Sequence, residues 1–393
     1  MISFGTTARC AYRLSNGNQE VNETGDNNKM KKVDKIFLII VGLLVAAGLL
    51  IFLSAAMGLL GRESGASFGS VALKQIFFGL LPGLLLLWGA SKIPLIYLRR
   101  YALYIFIFSL VITALVFIPG IGVAYKGAHR WILIFGQSFQ PSELLKIGFV
   151  IYFAAWLSGF RVRAAEFKYG LLPLVILLTI IGVLILNQPD TDTFLVFFVT
   201  GFVMYLAGGG KWRQAILLFF AAVLLVAVLA FSNNYVMKRF QTFFNPNADP
   251  TGASYQIHQS LIAIGSGGLT GRGFGQSIRK FSYLPEPMGD SIFAVVGEEF
   301  GFVGGALLVL LFTAFAWRGL WIANRAPDTF TSLMVVGIVV MIVSQSFINM
   351  AAMLNIIPLS GTALLFISKG GTTLLFALAE VGMILGVSRH IRK

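Results

Sequence analysis

Charged residues are scarce in this chain: Asp, Glu, Lys and Arg make up 12% of its 393 residues, where soluble proteins carry about a quarter. Hydrophobic residues account for 57% and the mean hydropathy is +0.84, more apolar side chain than a soluble core can hide. Cysteine is nearly absent. Cys10 stands alone, which excludes an internal disulfide and a thiolate metal site, and three histidines leave little from which to build a zinc centre. The glycines of Gly265-Ser266-Gly267-Gly268 and Gly271-Arg272-Gly273-Phe274-Gly275 have neither a preceding strand nor a Walker-type lysine, so they read as flexible turns rather than a nucleotide loop. No organic cofactor is expected.

Long apolar runs dominate instead. A bilayer span needs about 20 apolar residues, and such runs recur at about 36–60, 74–93, 101–119, 143–160, 169–187, 192–208, 214–231, 291–317, 330–355 and 362–388. They lack the alternation of barrel strands, and a helix satisfies its own backbone groups in hydrocarbon. The expected fold is therefore all-α: a polytopic transmembrane helical bundle of about ten spans, with residues 30–393 as a single transmembrane domain. Residues 1–29 are polar and have no apolar stretch long enough for a signal-peptide core, so they read as a disordered cytoplasmic tail without assigned function.

The formal net charge of +14 comes from short Lys and Arg clusters between apolar runs, a pattern of membrane topology and not of nucleic-acid binding. Nineteen of the 30 basic residues fall in one set of alternate connectors: the tail, the 92–100, 161–168, 211–213 and 318–325 segments, and the C-terminus. By the positive-inside rule both termini are cytoplasmic, and the longest connector, 232–289, is an exoplasmic loop before span eight.

Charges near an exoplasmic membrane surface are costly and mark candidate sites. His129-Arg130-Trp131 leads through an amphipathic connector to Gln140-Pro141-Ser142-Glu143-Leu144-Leu145-Lys146, where Pro141 and Ser142 suit a helix start and Glu143 shares a face with Lys146. A capped helix with an internal ion pair explains this as well as a pyrophosphate site in which Arg130 and Lys146 meet phosphate oxygens. Asn187-Gln188-Pro189-Asp190-Thr191-Asp192 reads as a tight turn with Asp192 starting the next helix, although its carboxylates also suit a divalent cation. Tyr283-Leu284-Pro285-Glu286-Pro287-Met288-Gly289-Asp290-Ser291 places Asp290 at the membrane boundary, as a helix cap or as a general base on a sugar hydroxyl. Glu298 and Glu299 lie about two turns deeper, so at least one needs a polar partner inside the bundle.

Several ordered motifs carry a family resemblance. Lys238-Arg239-Phe240, Phe244-Asn245-Pro246, Tyr255-Gln256, Gln259-Ser260, Gly273-Phe274-Gly275-Gln276-Ser277 and the Leu284-Pro285-Glu286 stretch resemble the long extracytoplasmic loop of the SEDS peptidoglycan glycosyltransferases. Arg130-Trp131, Gln140-Pro141-Ser142-Glu143-Leu144 and Phe366-Ile367-Ser368 with Gly370-Gly371 extend the similarity over about residues 31–390. The spacing from Gly-Gln-Ser to Leu-Pro-Glu is similar to the cell-division branch typified by FtsW. The resemblance implies polymerisation of lipid II onto a growing glycan strand, with release of undecaprenyl pyrophosphate, by a multi-pass protein of the bacterial plasma (inner) membrane at the division septum. It implies a class B penicillin-binding protein transpeptidase and other division proteins as partners, leaves room for Mg or Mn, and maps the essential aspartate onto Asp290. Arg130, Gln140, Ser142, Glu143 and Lys146 are the substrate-binding candidates on one segment, with Glu286 and Lys369 on two others. Met288-Gly289-Asp290-Ser291, Lys369 before Gly370-Gly371, and Thr191-Asp192 after Pro189-Asp190 depart from the usual motifs. The competing readings are a lipid-linked precursor flippase, a silent scaffold, and the elongation or sporulation branch of the same family.

Overall fold

The computed structural model describes residues 33–61, 68–125, 128–134, 137–232, 234–245 and 253–391. The chain divides between Lys31 and Lys32. The N-terminal part, where the expected tail falls, lies outside the described residues, and the architecture below is that of the second part.

Helices follow the apolar runs. They are α1 (Lys35–Met57), α2 (Phe68–Ala90, with a wide π turn at Ile76–Leu80), α3 (Leu95–Arg100), α4 (Ala102–Ala114), α5 (Pro141–Gly159), α6 (Leu171–Leu186) and α7 (Thr191–Ala207). Then come α8 (Trp212–Ser232), α9 (Asn234–Phe244), α10 (Ala253–Gly267), α11 (Arg279–Ser282), α12 (Ile292–Asn324), α13 (Thr329–Met353) and α14 (Gly371–Ser388). Among the described residues six of these, α1, α2, α5, α12, α13 and α14, are long and apolar enough to cross a membrane, and α4, α6, α7 and α8 carry shorter apolar stretches. The chain is a polytopic helical membrane protein.

Both faces of the outer helices are apolar because one meets protein and the other meets lipid. In α1, Phe37, Val41 and Leu44 are buried while Ile36, Ile39 and Leu43 are exposed. Polar caps fix where helices begin: Asp34 accepts the Phe37 N–H at 2.8 Å, and Asp328 with Thr331 forms a capping box on α13. Most of α14 is buried, and α5 packs aromatics inward, with Phe149 stacked on Phe153 (5.8 Å between centroids) and edge-on to Phe197 of α7 (5.5 Å).

The basic connectors meet at one end of the bundle. Arg318 pairs with Asp34 at 2.6 Å, the Asp34 N–H donates to Ser388 Oγ at 3.1 Å, and Arg389 donates to Ser91 Oγ at 3.3 Å. Arg99 lies 3.9 Å from Asp328, which lines one cavity with Arg161, Gly208 and Asn324. This is the alternation read from the charge pattern, now seen as shared location.

The opposite end holds three features that apolar runs alone do not foretell. The first is a three-stranded antiparallel sheet, β1 (Gly122–Tyr125), β2 (Ala128–Ile134) and β3 (Gln137–Phe139), inside an otherwise helical chain. The amphipathic connector is extended because period-2 alternation puts Arg130 and buried Ile132 on one face of β2, and β-branched and aromatic neighbours favour the pleat.

Secondly, much of the expected exoplasmic loop is helical, in α9, α10 and α11, and two of its glycines, Gly267 and Gly271, pack tightly against the α12 backbone. Helix α12 breaks at Gly301 (φ 64°, ψ −161°), and the chain at Gly268–Gly273 crosses the break. There Phe302 N–H donates to Gly268 C=O (2.9 Å) and Val303 N–H to Leu269 C=O (3.0 Å), while the Arg272 and Gly273 amides donate to the Glu298 and Glu299 carbonyls (3.0 and 2.9 Å). A methyl group on Gly301 would lie 2.4 Å from the Gly271 nitrogen, so only glycine permits the crossing. Below it, Glu299 pairs with Lys280 at 2.6 Å and accepts from Ser54 of α1, and Glu298 accepts from Ser277 at 2.5 Å, so both glutamates find buried polar partners.

Thirdly, the last apolar run starts as irregular backbone. Residues 354–370 are non-helical although Leu364, Phe366 and Ile367 are buried, and α14 begins only at Gly371. Such backbone is tolerated at membrane depth when protein satisfies it. Gln345 donates to Ala363 C=O (3.2 Å), Asn349 to Thr362 C=O (2.8 Å), and Ser368 Oγ accepts the Leu364 N–H (2.9 Å).

Candidate active site

Asp290 lies where the start of α12 meets the irregular 354–370 backbone. It precedes Ser291, which occupies the N-cap position of α12, and the peptides around it are tied to three different elements. Lys369 N–H donates to Met288 C=O (2.6 Å), Ser368 Oγ to Gly289 C=O (2.9 Å), Asn349 Nδ2 to Asp290 C=O (2.8 Å) and Gln256 Nε2 to Ser291 Oγ (3.0 Å). Immediately upstream Glu286 adopts φ 46°, a left-handed conformation costing about 1 kcal/mol or more outside glycine, and its carbonyl accepts the Gly289 and Ser291 amides.

Two further charges face the same point. A methyl group placed on Gly361 would lie 3.7 Å from Asp290 Oδ2, 3.8 Å from Arg239 Nη2 and 3.9 Å from Asp192 Oδ2. Arg239 of α9 pairs with Asp192 at 2.9 Å and donates to Thr191 Oγ1 at 3.3 Å; Asp192 also accepts the Gly361 N–H at 2.9 Å. The site therefore presents two carboxylates and one guanidinium, drawn from the first turn of α7, from α9 and from the start of α12.

The two aspartates of the 187–192 turn have separate tasks. Asp190 caps α7 through the Thr193 N–H and faces Arg130 at 3.5 Å; burial pushes its carboxyl up, Arg130 pulls it down and Asp192 pushes it up again. Arg130 also donates to the Gln188 carbonyl (3.0 Å) and to the Pro189 carbonyl, so its fork holds this turn in place.

The other sequence candidates are dispersed. Glu143 and Lys146 form a buried ion pair at 2.8 Å, and Lys146 donates to Gln345 Oε1 at 2.6 Å. Gln140 occupies the N-cap position of α5 without a side-chain bond, and the buried Ser142 hydroxyl has no hydrogen-bond partner. Glu286 Oε2 sits 3.7 Å from a methyl position on Gly289. Lys369 is exposed and contributes its backbone N–H to the Met288 clamp.

Sequence reasoning missed Gln345 and Asn349 as site-building residues, and treated Arg239 and Gln256 only as parts of motifs. Gln345 and Asn349 were visible as polar residues four apart in an apolar helix.

Fold and site thus define a helical membrane protein with two carboxylates and a guanidinium gathered beside Gly361. A family model for the FtsW/RodA/SpoVE cell cycle proteins matches residues 34–393, and the chain belongs to that family. It is 35% identical over 364 residues to stage V sporulation protein E of Bacillus subtilis, covering 93% of this chain and 99% of that one. It is 37% identical over 294 residues to the probable peptidoglycan glycosyltransferase FtsW of Geobacter sulfurreducens, covering 75% and 79%. Among solved structures it resembles a chain from work on polymerisation and crosslinking by a peptidoglycan synthase complex, with TM-score 0.75, 26% identity and coverage of 92% and 99%. The rod shape determining protein RodA of Thermus thermophilus matches with TM-score 0.67, 26% identity and coverage of 92% and 98%.

Proposed function

We propose that this protein is a peptidoglycan glycosyltransferase that polymerises lipid II, with Asp290 as its general base. The observation that carries this reading is the convergence of Asp290 with Arg239 and Asp192 beside Gly361. In the reaction the acceptor hydroxyl oxygen bonds to the anomeric carbon of the donor sugar, the bond from that carbon to pyrophosphate oxygen breaks, and undecaprenyl pyrophosphate leaves. The hydroxyl proton passes to the Asp290 carboxylate. General-base assistance contributes about 10²–10⁴-fold.

Charge supports the assignment of the other partners. Arg239 is the guanidinium nearest this point and suits a pyrophosphate oxygen, while Arg130 secures the turn that carries Asp192. Lys146 and Glu143 act on the site through Gln345 and the 362–363 backbone. Asp290 and Asp192 would hold a Mg or Mn ion, which would supply positive charge to the leaving pyrophosphate; no third His, Cys, Asp or Glu joins them among the described residues.

The site faces the exoplasmic side in this reading, with the basic end cytoplasmic. A class B penicillin-binding protein transpeptidase at the division septum is the proposed partner, in keeping with the FtsW relatives and the peptidoglycan synthase complex. The test is polymerisation of purified lipid II by the purified protein, with and without that transpeptidase. Glycan ladders insensitive to moenomycin are the expected result; lipid II transport across a vesicle membrane without any polymer would instead establish the flippase.

A further inference from the structure

Asn349 lies in the last two turns of the apolar helix α13 and is fully buried. A polar side chain at such a position is costly in a membrane and calls for a partner. Asn349 has two on the donor side and none on the acceptor side: Nδ2 donates to the carbonyls of Asp290 and Thr362, each at 2.8 Å, while Oδ1 is buried without a hydrogen bond. Turning the amide over would set its oxygen against both carbonyls, so the network fixes its orientation. An unsatisfied buried acceptor destabilises the fold, so stability alone does not account for asparagine here.

The two carbonyls belong to the two segments that build the site. Asp290 carries the carboxylate, and Thr362 follows Gly361, whose N–H binds Asp192. A single amide nitrogen thus spans the peptide of the base and the loop that positions the opposing charges. Gln345, one turn earlier on the same face, extends the contact to Ala363 and reaches back to Lys146.

We propose that Asn349 is a positioning residue for the polymerisation reaction, setting the distance between the Asp290 carboxylate and the Asp192–Arg239 pair by bridging the two backbones. The inference rests on the reading of Asp290 as the base. A base displaced by about 1 Å loses up to about 10²-fold in rate, so the effect falls on turnover and leaves lipid II binding nearly unchanged.

The test uses the full chain reconstituted with its transpeptidase, measuring kcat and KM for lipid II in four forms: wild type, Asn349→Leu, Asp290→Asn and the double variant. Asn349→Leu is expected to lower kcat about 10-fold or more with KM within about twofold, and to cause no further loss in the Asp290→Asn background. Asn349→Asp, which keeps the volume and removes the amide donor, is read in the same cycle and replaces the leucine variant if that one does not fold. Near wild-type turnover in Asn349→Asp, or an equal further loss on top of Asp290→Asn, would overturn the proposal while leaving the base in place. Near wild-type turnover in Asp290→Asn would instead remove the base, and the positioning role with it.

Discussion

Arg239 and Asp192 are joined at 2.9 Å across two elements 47 residues apart, and the pair is anchored on Gly361 by its N–H. The carboxylate therefore fixes which way the guanidinium fork points before substrate arrives. Asp192→Asn and Arg239→Ala are each expected to lower lipid II polymerisation by roughly 10-fold or more, because each breaks the ion pair that orients charge beside Asp290. Since the residues act as one unit, the double variant should be no worse than the poorer single one. Initial rates over a range of lipid II concentrations check this; fully additive losses would contradict it.

The buried pair of Lys280 and Glu299 locks α11 to α1 and α12. Removing one partner leaves an isolated charge in a low-dielectric interior, which costs about 3–5 kcal/mol. Lys280→Met should accordingly lower the thermal unfolding temperature sharply, and adding Glu299→Leu should recover much of the loss. Thermal unfolding in detergent reads both. A single variant as stable as wild type would show that the pair does not hold the segment.

Much of this architecture was legible in the sequence, and for identifiable reasons. Apolar runs report helices because hydrocarbon leaves the backbone no other partner, and clustered Lys and Arg report one end of the bundle, where Arg318 now meets Asp34. Asp290 became a candidate through the Leu284-Pro285-Glu286 motif before it, since carboxylates also open other helices at Asp34, Asp190 and Asp328. What stayed hidden depends on contacts between distant segments: Arg239 against Asp192, Asn349 against Asp290, and Arg130 against the 188–190 turn. Spacing along the chain left Lys146 between a phosphate contact and an ion pair with Glu143, the pair the structure shows, but carried no information that the Gln188 carbonyl already engages Arg130. The irregular backbone at 354–370 was hidden for a related reason, since hydropathy counts side chains while its stability comes from Gln345 and Asn349 on a neighbouring helix.

Glycine tolerance should map the broken helix. Gly301 and Gly271 both have positive φ (64° and 80°) and a methyl group on either would approach backbone within 2.4 Å or less. Alanine at either position should therefore reduce the yield of monodisperse protein markedly. Gly42, with nothing within 4 Å, provides the control, and alanine there should be neutral or slightly stabilising in its helix. Size-exclusion profiles of the three variants measure this.

Stability should also depend on pH through Asp34. Burial pushes its carboxyl up, but the hydrogen bond and charge of Arg318 and the Phe37 amide outweigh burial and hold it below the usual range. A depressed carboxyl stabilises the fold above its unfolded value of 3.8, and that contribution is lost as pH falls through the lower folded value. Asp34→Asn should thus cost about 1 kcal/mol or more at pH 7 and progressively less as pH falls below 3.8. Unfolding curves at several pH values test the sign; a deficit that grew on acidification would reverse it.

The account turns on one carboxylate, and its most direct measurement is the rate of lipid II polymerisation by Asp290→Asn beside Glu286→Ala, each purified with its membrane fold and transpeptidase binding verified. Asp290→Asn keeps the size and the backbone clamps of the original side chain but cannot take the acceptor proton, so turnover should fall about 10²-fold or more, while Glu286→Ala falls by less. Glycan synthesis by Asp290→Asn at near wild-type rate would contradict the assignment of the base.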